Sequence, residues 1–371
     1  MKPQARRIES IFGNLDGNGA PEGIFLFNRD RVDKNFLYVT GLENGVFENC
    51  GVLVERNGKM YVFTSALEEE AARSSEGYAE IVVYKNERER NEKLKSVLGR
   101  YAKLGLCFGA VSHGYFLSLS QSFPGIEWVD AGSAFRKARM IKTDEEIEKI
   151  RKACEIASLV AESIPGVLRE GMTELDLSAE IDYLLKKSGA GGPAFRTIAA
   201  FAVNSSMPHY AGGNVRLENG NVVLVDFGAE YRGYASDITQ TYLTGKPGED
   251  LVDLYKTVLS AQRRAFELIR DGAMAEQVDE DVRRLIDARE PYRGRFIHSL
   301  GHSLGLDVHD DGYPSQEFDK RFSENMVLTV EPGVYLPGVY GVRLEDDIVV
   351  KKEGCVLLTT AKKELRTYEI I

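Results

Sequence analysis

Apolar and polar positions in the first third of the chain alternate between a strand-like and a helix-like period. Short apolar runs at 23–28, 51–56 and 59–64 are typical of β-strands, and Asn57-Gly58 between the last two predicts a hairpin. Further along, EIVVY at 80–84 is strand-like, NEKLKSVLGRYA at 91–102 is helix-like, and LGLCFG at 104–109 and IEWVD at 126–130 are strand-like. This alternation predicts an α/β domain with a partly parallel sheet.

Two local features of this region lead to separate predictions. Thr64 or Ser65 is expected to cap a helix through the sequence ALEEEAARSS. His113 lies beside Gly114 in a loop-like setting, and we expect it to have no catalytic role in its own subunit.

The pattern changes around residues 136–143. Thr143 is followed three residues later by Glu146, which is the spacing of a capping box, and apolar residues then recur at helical spacing. The chain is also long enough for about two domains. The sequence therefore predicts an N-terminal α/β domain over residues 1–137 and a second domain over residues 138–371.

Within the second domain the order helix, helix, strands occurs twice. Helices are predicted from 144 and over 173–187, and again over 248–270 and 275–289, with an offset of about 105 residues. Each pair of helices is followed by extended segments and an antiparallel hairpin. The predicted domain is therefore α+β, with an internal pseudo-twofold repeat.

The first predicted hairpin lies in NVVLVDFGAEYRGYASDITQTY, residues 221–242. A two-residue turn at Tyr231-Arg232 would place Asp226 directly opposite Asp237 on one face of the sheet. A register shifted by two residues would keep both carboxylates on that face. Two such carboxylates repel each other unless a proton or a cation lies between them.

The second predicted hairpin lies in MVLTVEPGVYLPGVYGVRLEDDIVV, residues 326–350. Its reversal is expected at Pro337-Gly338, and a loop centred on Gly338 puts Glu331 opposite Glu345. Arg343 lies two residues before Glu345 and shares its face. Both halves of the repeat thus present two carboxylates from matching hairpins, which favours a site over a solvated surface.

Composition narrows the classes of function. The chain has 371 residues, 43% hydrophobic and 28% charged, with a net charge of −10. This balance is typical of a globular protein and argues against a nucleic-acid or membrane-surface partner. The sequence shows no signal-peptide pattern and no apolar run of transmembrane length. Because Cys50, Cys107, Cys154 and Cys355 form no CxxC pattern, we expect free thiols and a cytoplasmic protein.

Histidines are concentrated near the two hairpins. His298, His302 and His309 lie between the hairpins, and His209 lies just ahead of the first one. Four carboxylates with one imidazole carry a charge of about −4, which two divalent cations would neutralise. This donor set suits manganese, iron or cobalt, and zinc is also possible. Paired ions of this kind activate water, so the pattern predicts metal-assisted hydrolysis of an amide.

Five motifs together resemble the Xaa-Pro peptidase family, which includes prolidase and aminopeptidase P. They are VDFGAEYRGYASDITQTY, MPHY, HSLGHSLGLDVHD, EPGVY and GVRLED, and they span the whole second domain. The resemblance implies the pita-bread fold, two divalent metal ions (manganese or cobalt before zinc or iron) and proline-containing peptides as substrates. It also implies a homodimer in which the N-terminal domain contributes to the active-site mouth of the partner.

The resemblance further implies a set of metal ligands, which are Asp226, Asp237, His302, Glu331 and Glu345. Asp226 would bind one ion, while His302 and Glu331 would bind at the other end of the site. Asp237 and Glu345 would bridge or chelate the ions. Glu331 is also implied as the proton shuttle.

Other residues are implied to act on the substrate. His209 and His309 would contact the scissile carbonyl or its oxyanion, and His298 would line the pocket. Arg343 would either neutralise a substrate carboxylate or orient the metal ligands. Tyr335 is a weaker candidate for a supporting role.

Within this family we expect an Xaa-Pro dipeptidase, because the chain is compact and shows no extra insertion. An Xaa-Pro aminopeptidase acting on longer peptides is the alternative, since EYRGYASDIT and GLDVHD fit that subfamily at least as well. A methionine aminopeptidase would normally lack the N-terminal domain. A creatinase-like hydrolase or a metal-free binding protein would not need the complete ligand set. The chain departs from the family at Gln240, where an arginine is frequent.

Overall fold

The computed structural model of the protein describes residues 3–15, 20–29, 32–74, 78–310 and 320–370. Contacts between Cα atoms divide the chain into two compact units, Met1–Arg139 and Met140–Ile371. Among the described helices, none combines the length and the apolar character needed to cross a bilayer.

The first unit contains one mixed sheet of six strands in its described part. The strands are β1 (Gly23–Phe27), β2 (Gly51–Glu55), β3 (Met60–Ser65), β4 (Glu80–Tyr84), β5 (Lys103–Leu106) and β6 (Glu127–Asp130). Their order is β4-β3-β2-β1-β5-β6. The pairs β1·β2 and β2·β3 are antiparallel, whereas β3·β4, β1·β5 and β5·β6 are parallel. This confirms the predicted α/β domain and its partly parallel sheet.

Helices connect and cover these strands. They are α1 (Pro3–Gly13), α2 (Lys34–Thr40), α3 (Glu69–Arg73), α4 (Glu87–Leu98), α5 (His113–Ser122) and α6 (Gly132–Met140). Apolar side chains of the strands, such as Phe25 and Phe63, pack with Leu94 and Leu98 of α4 in the core of this unit.

The predicted cap of the third helix is wrong. β3 continues through Ser65, which is paired with Tyr84 of β4, so Thr64 and Ser65 belong to the sheet. The helix α3 begins later, and the residue before it, Glu68, makes no capping hydrogen bond with its side chain. Strand pairing therefore overrides the local capping preference of these hydroxyl side chains.

The loop-like setting expected for His113 is also wrong. His113 is the first residue of α5, and the side chain of Ser112 before it accepts a hydrogen bond from the amide of Tyr115. This cap satisfies an amide of the first helical turn and starts the helix at His113.

The second unit contains two pairs of helices, as predicted. They are α7 (Asp144–Ser163), α8 (Glu174–Lys187), α9 (Glu249–Leu268) and α10 (Ala275–Asp287). The capping box between Thr143 and Glu146 is present at the start of α7. α7 and α9 begin at residues 144 and 249, so the offset is 105 residues.

Strands follow each pair of helices. Those after α8 are β7 (Gly192–Pro193), β8 (Ile198–Phe201), β9 (Val222–Phe227), β10 (Ala229–Tyr231), β11 (Tyr234–Ala235) and β12 (Ile238–Thr244). Those after α10 are β13 (Val327–Val330), β14 (Gly333–Leu336), β15 (Tyr340–Arg343), β16 (Asp346–Lys351), β17 (Gly354–Leu357) and β18 (Thr367–Tyr368). The sheets are ordered β18-β12-β9-β8, β11-β10-β7, β13-β16-β17 and β14-β15.

Each half of this unit has its own apolar core. Val225 and Phe227 of β9 pack with residues of α7 and α8, whereas Ile348 and Val350 of β16 pack with residues of α9 and α10. Side chains alternate between the two faces of a strand. Asp226 therefore points away from the core that Val225 and Phe227 enter, which places it on the face available for a site.

The first hairpin has a register two residues away from the predicted one. Thr239, rather than Asp237, is paired with Asp226. The reversal occupies Arg232-Gly233, one residue later than predicted, with φ angles of 50° and 82°. Positive φ at both central residues is what a tight type I′ hairpin turn requires, and glycine adopts it readily. Because the shift is two residues, both aspartates remain on one face.

The second hairpin confirms its predicted register. Gly333 is paired with Arg343, and Val330 is paired with Asp346. Glu331 and Glu345 lie between these pairs, on opposing strand ends. The hairpins of the two halves meet where the hydroxyl of Thr241 donates to the carbonyl of Arg343 at 2.8 Å.

Candidate metal centre

The carboxylates and one imidazole of the two hairpin regions converge at one point. Asp237, His302 and Glu345 each offer one ligand atom, and these atoms lie within 4.8 Å of one another. His302 Nε2 lies 3.6 Å from Asp237 Oδ2 and 3.5 Å from Glu331 Oε1. Asp226, the remaining member of the predicted set, acts electrostatically on Asp237, Glu331 and Glu345.

His302 is oriented by the backbone around it. Its Nδ1 lies 3.2 Å from the carbonyl oxygen of Ser303, and its amide donates to Thr329 Oγ1 at 3.0 Å. An Nδ1–H donor to that carbonyl leaves the lone pair of Nε2 directed at Asp237 and Glu331. Burial, and then the nearby His309, lower the pKa of His302 to about 4. The imidazole is therefore neutral at pH 7, which is the form that binds metals.

The carboxylates repel one another in a buried environment. Burial, followed by the charge of Glu345, raises the pKa of Asp237 well above its ordinary value. Burial, followed by Glu331, has the same effect on the pKa of Glu345. Burial raises the pKa of Glu331 to about 7, although Arg343 opposes the shift. A cation among these groups would favour their ionised forms instead.

The residues present fit divalent metal ions. Oδ1 of Asp226 and Oδ1 of Asp237 are buried and have no hydrogen-bond partner within the described residues. Buried polar atoms in proteins nearly always have a partner, and both of these carboxylate oxygens have lone pairs that can bind a cation. Oxygen donors with one neutral imidazole form a donor set that such cations bind readily.

Each nitrogen atom of the Arg343 guanidinium makes a hydrogen bond to another residue of the protein. Nη2 lies 2.5 Å from Asp226 Oδ2, and Nε donates to Thr239 Oγ1 at 3.0 Å. Nη1 donates to the hydroxyl of Tyr335 at 2.8 Å and to the carbonyl of Pro208 at 3.3 Å. Arg343 is only 3% exposed. Of its two predicted roles, this geometry favours orientation of Asp226 over capture of a substrate carboxylate.

His298 also has both ring nitrogens occupied. Nδ1 lies 2.9 Å from the carbonyl oxygen of Ser299, and Nε2 lies 3.0 Å from the hydroxyl of Tyr335. The ring packs edge-to-face on Phe296 with 5.1 Å between centroids. Burial lowers the pKa of His298 to about 4. A neutral ring with both nitrogens engaged can line a pocket but has no free hydrogen-bond donor.

The other two histidines reach solvent beside the site. His309 is exposed, and its ring stands perpendicular to that of His302 with 4.3 Å between centroids. His209 is exposed in the turn that follows a 3₁₀ segment, Ala202–Ser206. The preceding residue, Pro208, accepts the hydrogen bond from Arg343. Both imidazoles are therefore accessible to a ligand at the edge of the carboxylate cluster.

Sequence reasoning missed Thr239. Its hydroxyl donates to Glu345 Oε2 at 2.6 Å and accepts from Arg343 Nε, so it joins the two hairpins at the site. Thr239 lies two residues after Asp237 on the same face of the hairpin, so strand alternation alone could have identified it. The next residue, Gln240, is buried on the opposite face, and nothing in the site explains its difference from the family pattern.

Sequence reasoning also missed Asp347. Asp347 Oδ2 accepts hydrogen bonds from the amide of Asp237 at 2.8 Å and from the thiol of Cys154 at 3.2 Å. Burial raises the pKa of Asp347 to about 8. Asp347 lies two residues after Glu345, so the same alternation places it on the inner face and marks it as a support for Asp237.

Two sequence-family models match the chain. The model of metallopeptidase family M24 matches residues 148–352, and the model of the creatinase/prolidase N-terminal domain matches residues 19–141. The first match contains every residue of the candidate metal centre.

Individual relatives agree with these matches. An Xaa-Pro dipeptidase from Pyrococcus furiosus is 36% identical over 315 residues, which cover 85% of this chain and 88% of the relative. The X-Pro aminopeptidase structure from Thermotoga maritima has a TM-score of 0.89 and 30% identity, covering 98% of this chain and 100% of that one. The prolidase structure from Pyrococcus horikoshii has a TM-score of 0.85 and 31% identity, covering 98% and 99%.

Proposed function

The chain belongs to metallopeptidase family M24, and on that premise we propose that it hydrolyses the Xaa-Pro imide bond, with Xaa-Pro dipeptides preferred. The observation that carries this proposal is the convergence of Asp237, His302 and Glu345, with Asp226 and Glu331 beside them. The name of the Pyrococcus furiosus relative supports the choice of substrate.

Two divalent ions, manganese or cobalt before zinc or iron, are the proposed cofactors. Asp226 would hold one ion, His302 and Glu331 the other, and Asp237 and Glu345 both. When bound, such ions lower the pKa of water and stabilise negative charge that develops on oxygen. A creatinase-like or purely binding role would leave this complete donor set without a purpose.

The chain's own residues would supply proton transfer and hydrogen bonds. Glu331, which lies 3.5 Å from His302 Nε2, would accept a proton from the attacking water and deliver it to the proline nitrogen. His209 and His309 are exposed at the edge of the site and would donate hydrogen bonds to the carbonyl oxygen as it gains charge.

Two exposed apolar residues that are close in sequence to site histidines suit a proline ring. Ile297, next to His298, is 63% exposed, and Met207, near His209, is 45% exposed. Apolar surface around a few fixed polar groups is typical of small-ligand sites. These side chains would contact the pyrrolidine ring of the substrate.

An Xaa-Pro aminopeptidase is the second candidate, and Arg343 favours it. A dipeptidase must recognise the free carboxylate of the terminal proline, and the guanidinium predicted for this task is occupied by Asp226, Thr239 and Tyr335. The aminopeptidase structure from Thermotoga maritima is similar over 98% of this chain.

Substrate length separates the two candidates. The values of kcat/KM are to be compared for an Xaa-Pro dipeptide and for the same peptide extended by several residues, in metal-replete buffer. A higher value for the dipeptide supports the preferred assignment. An equal or higher value for the longer peptide would make the protein an aminopeptidase.

The proposal also includes an oligomeric state and a cellular compartment. The family resemblance supports a homodimer in which the N-terminal domain contributes to the partner's active-site mouth, and molar mass in solution would test it. Cys50, Cys107, Cys154 and Cys355 are free thiols, which supports a reducing, cytoplasmic setting.

A further inference from the structure

Glu174, the first residue of α8, is a fully buried carboxylate bound by neutral donors. It is 0% exposed. Oε1 accepts hydrogen bonds from the amide of Phe201 at 2.8 Å and from Asn204 Nδ2 at 2.9 Å, and Oε2 accepts from the hydroxyl of Tyr210 at 2.7 Å. Burial of a carboxylate is costly unless hydrogen bonds offset the cost. The three hydrogen bonds that Glu174 accepts provide this compensation.

The three donors lie at the start, the middle and the end of one segment, residues 201–210. Asn204 Nδ2 also donates to the hydroxyl of Tyr210 at 2.9 Å, which closes a ring of hydrogen bonds around Glu174. His209 directly precedes Tyr210. The backbone that carries the His209 imidazole is therefore tied to the start of α8.

Close packing of Gly213 against Tyr210 and Glu174 restricts the movement of these two side chains. A Cβ atom at Gly213 would lie 2.5 Å from the hydroxyl of Tyr210 and 3.2 Å from Glu174 Oε2, so only glycine fits there. The amide of Leu175 donates to the carbonyl of Gly213 at 3.2 Å. The positive end of the 14-residue helix α8 also favours a carboxylate at its first residue.

The opposite side of the segment is attached to the metal-site hairpin. The amide of Gly341 donates to Ser205 Oγ at 2.9 Å, and Arg343 donates to the carbonyl of Pro208 at 3.3 Å. Arg343 also holds Asp226. The turn that carries His209 is thus fixed between Glu174 on one side and the support of a candidate metal ligand on the other.

We propose that Glu174, acting through Tyr210 and Asn204, is a positioning residue that holds His209 in place to donate a hydrogen bond to the substrate carbonyl. Glu174 itself touches no reacting atom. The inference rests on the proposed function, in which His209 contacts that carbonyl or its oxyanion.

A double-mutant cycle with His209 tests this inference. Tyr210→Phe removes only the hydroxyl that binds Glu174. We expect kcat to fall on the order of 10²-fold, because a displacement of a substrate-positioning group by about 1 Å can lower the rate by that factor. Glu174→Gln is expected to lower kcat in the same direction, with KM and metal stoichiometry nearly unchanged. In the His209→Ala background, Tyr210→Phe should cause no further loss.

A matched control removes another buried tyrosine hydroxyl. The hydroxyl of Tyr242 donates to the carbonyl of Ala161 at 2.6 Å, and Tyr242→Phe is expected to leave kcat unchanged. An equal loss from Tyr210→Phe with and without His209 would overturn the inference, because the hydroxyl would then act on the fold in general. No loss from Tyr210→Phe would overturn it as well. An unchanged kcat in His209→Ala alone would instead refute the proposed role of His209, and the positioning role would fall with it.

Discussion

Arg343 Nη2 lies 2.5 Å from Asp226 Oδ2, and both side chains are largely withdrawn from solvent. Hydrogen bonds between a guanidinium and a carboxylate are strong and directional. The pair therefore fixes the direction in which the second oxygen of Asp226, which has no partner in the described residues, faces the site.

Arg343→Lys is expected to impair metal retention and turnover together. An ammonium cannot reach Asp226, Thr239 and Tyr335 at once, and loss of such a supporting partner typically costs 10–100-fold in metal affinity or activity. The measurements are metal affinity and kcat on a dipeptide and on a longer peptide. The control is Arg264→Lys, since Arg264 pairs with Glu267 on the surface. A rise in KM confined to dipeptides, with kcat unchanged, would show instead that Arg343 binds the substrate carboxylate.

Glu331→Gln is expected to abolish most turnover. The amide keeps the size of the side chain but can neither shuttle a proton nor supply a charged ligand oxygen, and a general acid–base residue contributes about 10²–10⁴-fold. Steady-state turnover in metal-replete buffer is the measurement, with Glu267→Gln on the surface as the control. Full activity of Glu331→Gln would contradict the assignment of Glu331 as the proton shuttle.

His209→Ala and His309→Ala are expected to fold and bind metal but to lose most of kcat. Loss of one oxyanion donor typically costs on the order of 10²–10³-fold. Arg264→Ala, at the surface of the second unit, serves as the control and should keep full activity. If either variant lost bound metal while turnover per bound metal stayed constant, that histidine would be a ligand.

Ionisation of the carboxylate cluster should lower the stability of the metal-free protein as the pH rises. Burial raises the pKa of Glu331 to about 7, and it raises the pKa of Asp237 and Glu345. Below about pH 4 these groups are protonated in both the folded and the unfolded chain, so they contribute no difference. Above that pH they ionise first in the unfolded chain, and the free energy of unfolding decreases until the folded-state pKa is passed.

Chemical denaturation at pH 7 and pH 9 measures this effect with and without metal, because His298 and His302, whose pKa values are lowered to about 4, no longer change their charge in this range. The metal-free protein should be less stable at pH 9, and bound cations, which favour the ionised carboxylates, should remove the difference. If the metal-free protein were equally stable at both pH values, the pKa values of the site carboxylates would not be raised as a close, buried cluster requires.

The alternation of side chains between the two faces of a strand was enough to predict how the four site carboxylates pair. It placed Glu331 opposite Glu345, and it kept Asp226 and Asp237 on one face even though the turn at Arg232-Gly233 moved the register by two residues. A slip of one residue would have separated the two aspartates.

The partners of each site residue could not be predicted in the same way. The contacts of Arg343 with Asp226 and of Glu174 with Tyr210 join residues 117 and 36 positions apart in sequence. Local patterns carry no information about such distant pairs. The helix start at His113 was missed for a different reason, because a single serine cap decides it.

Metal stoichiometry measured together with turnover tests the central claim most directly. The metal-free protein is titrated with manganese, and bound ions per chain are counted while hydrolysis of an Xaa-Pro dipeptide is followed in the same samples. Two ions per chain are predicted, with turnover absent before metal is added and restored as the sites fill; Asp237→Asn should lower both values. Full turnover of the metal-free protein, or no metal binding at the cluster of Asp237, His302 and Glu345, would contradict the account.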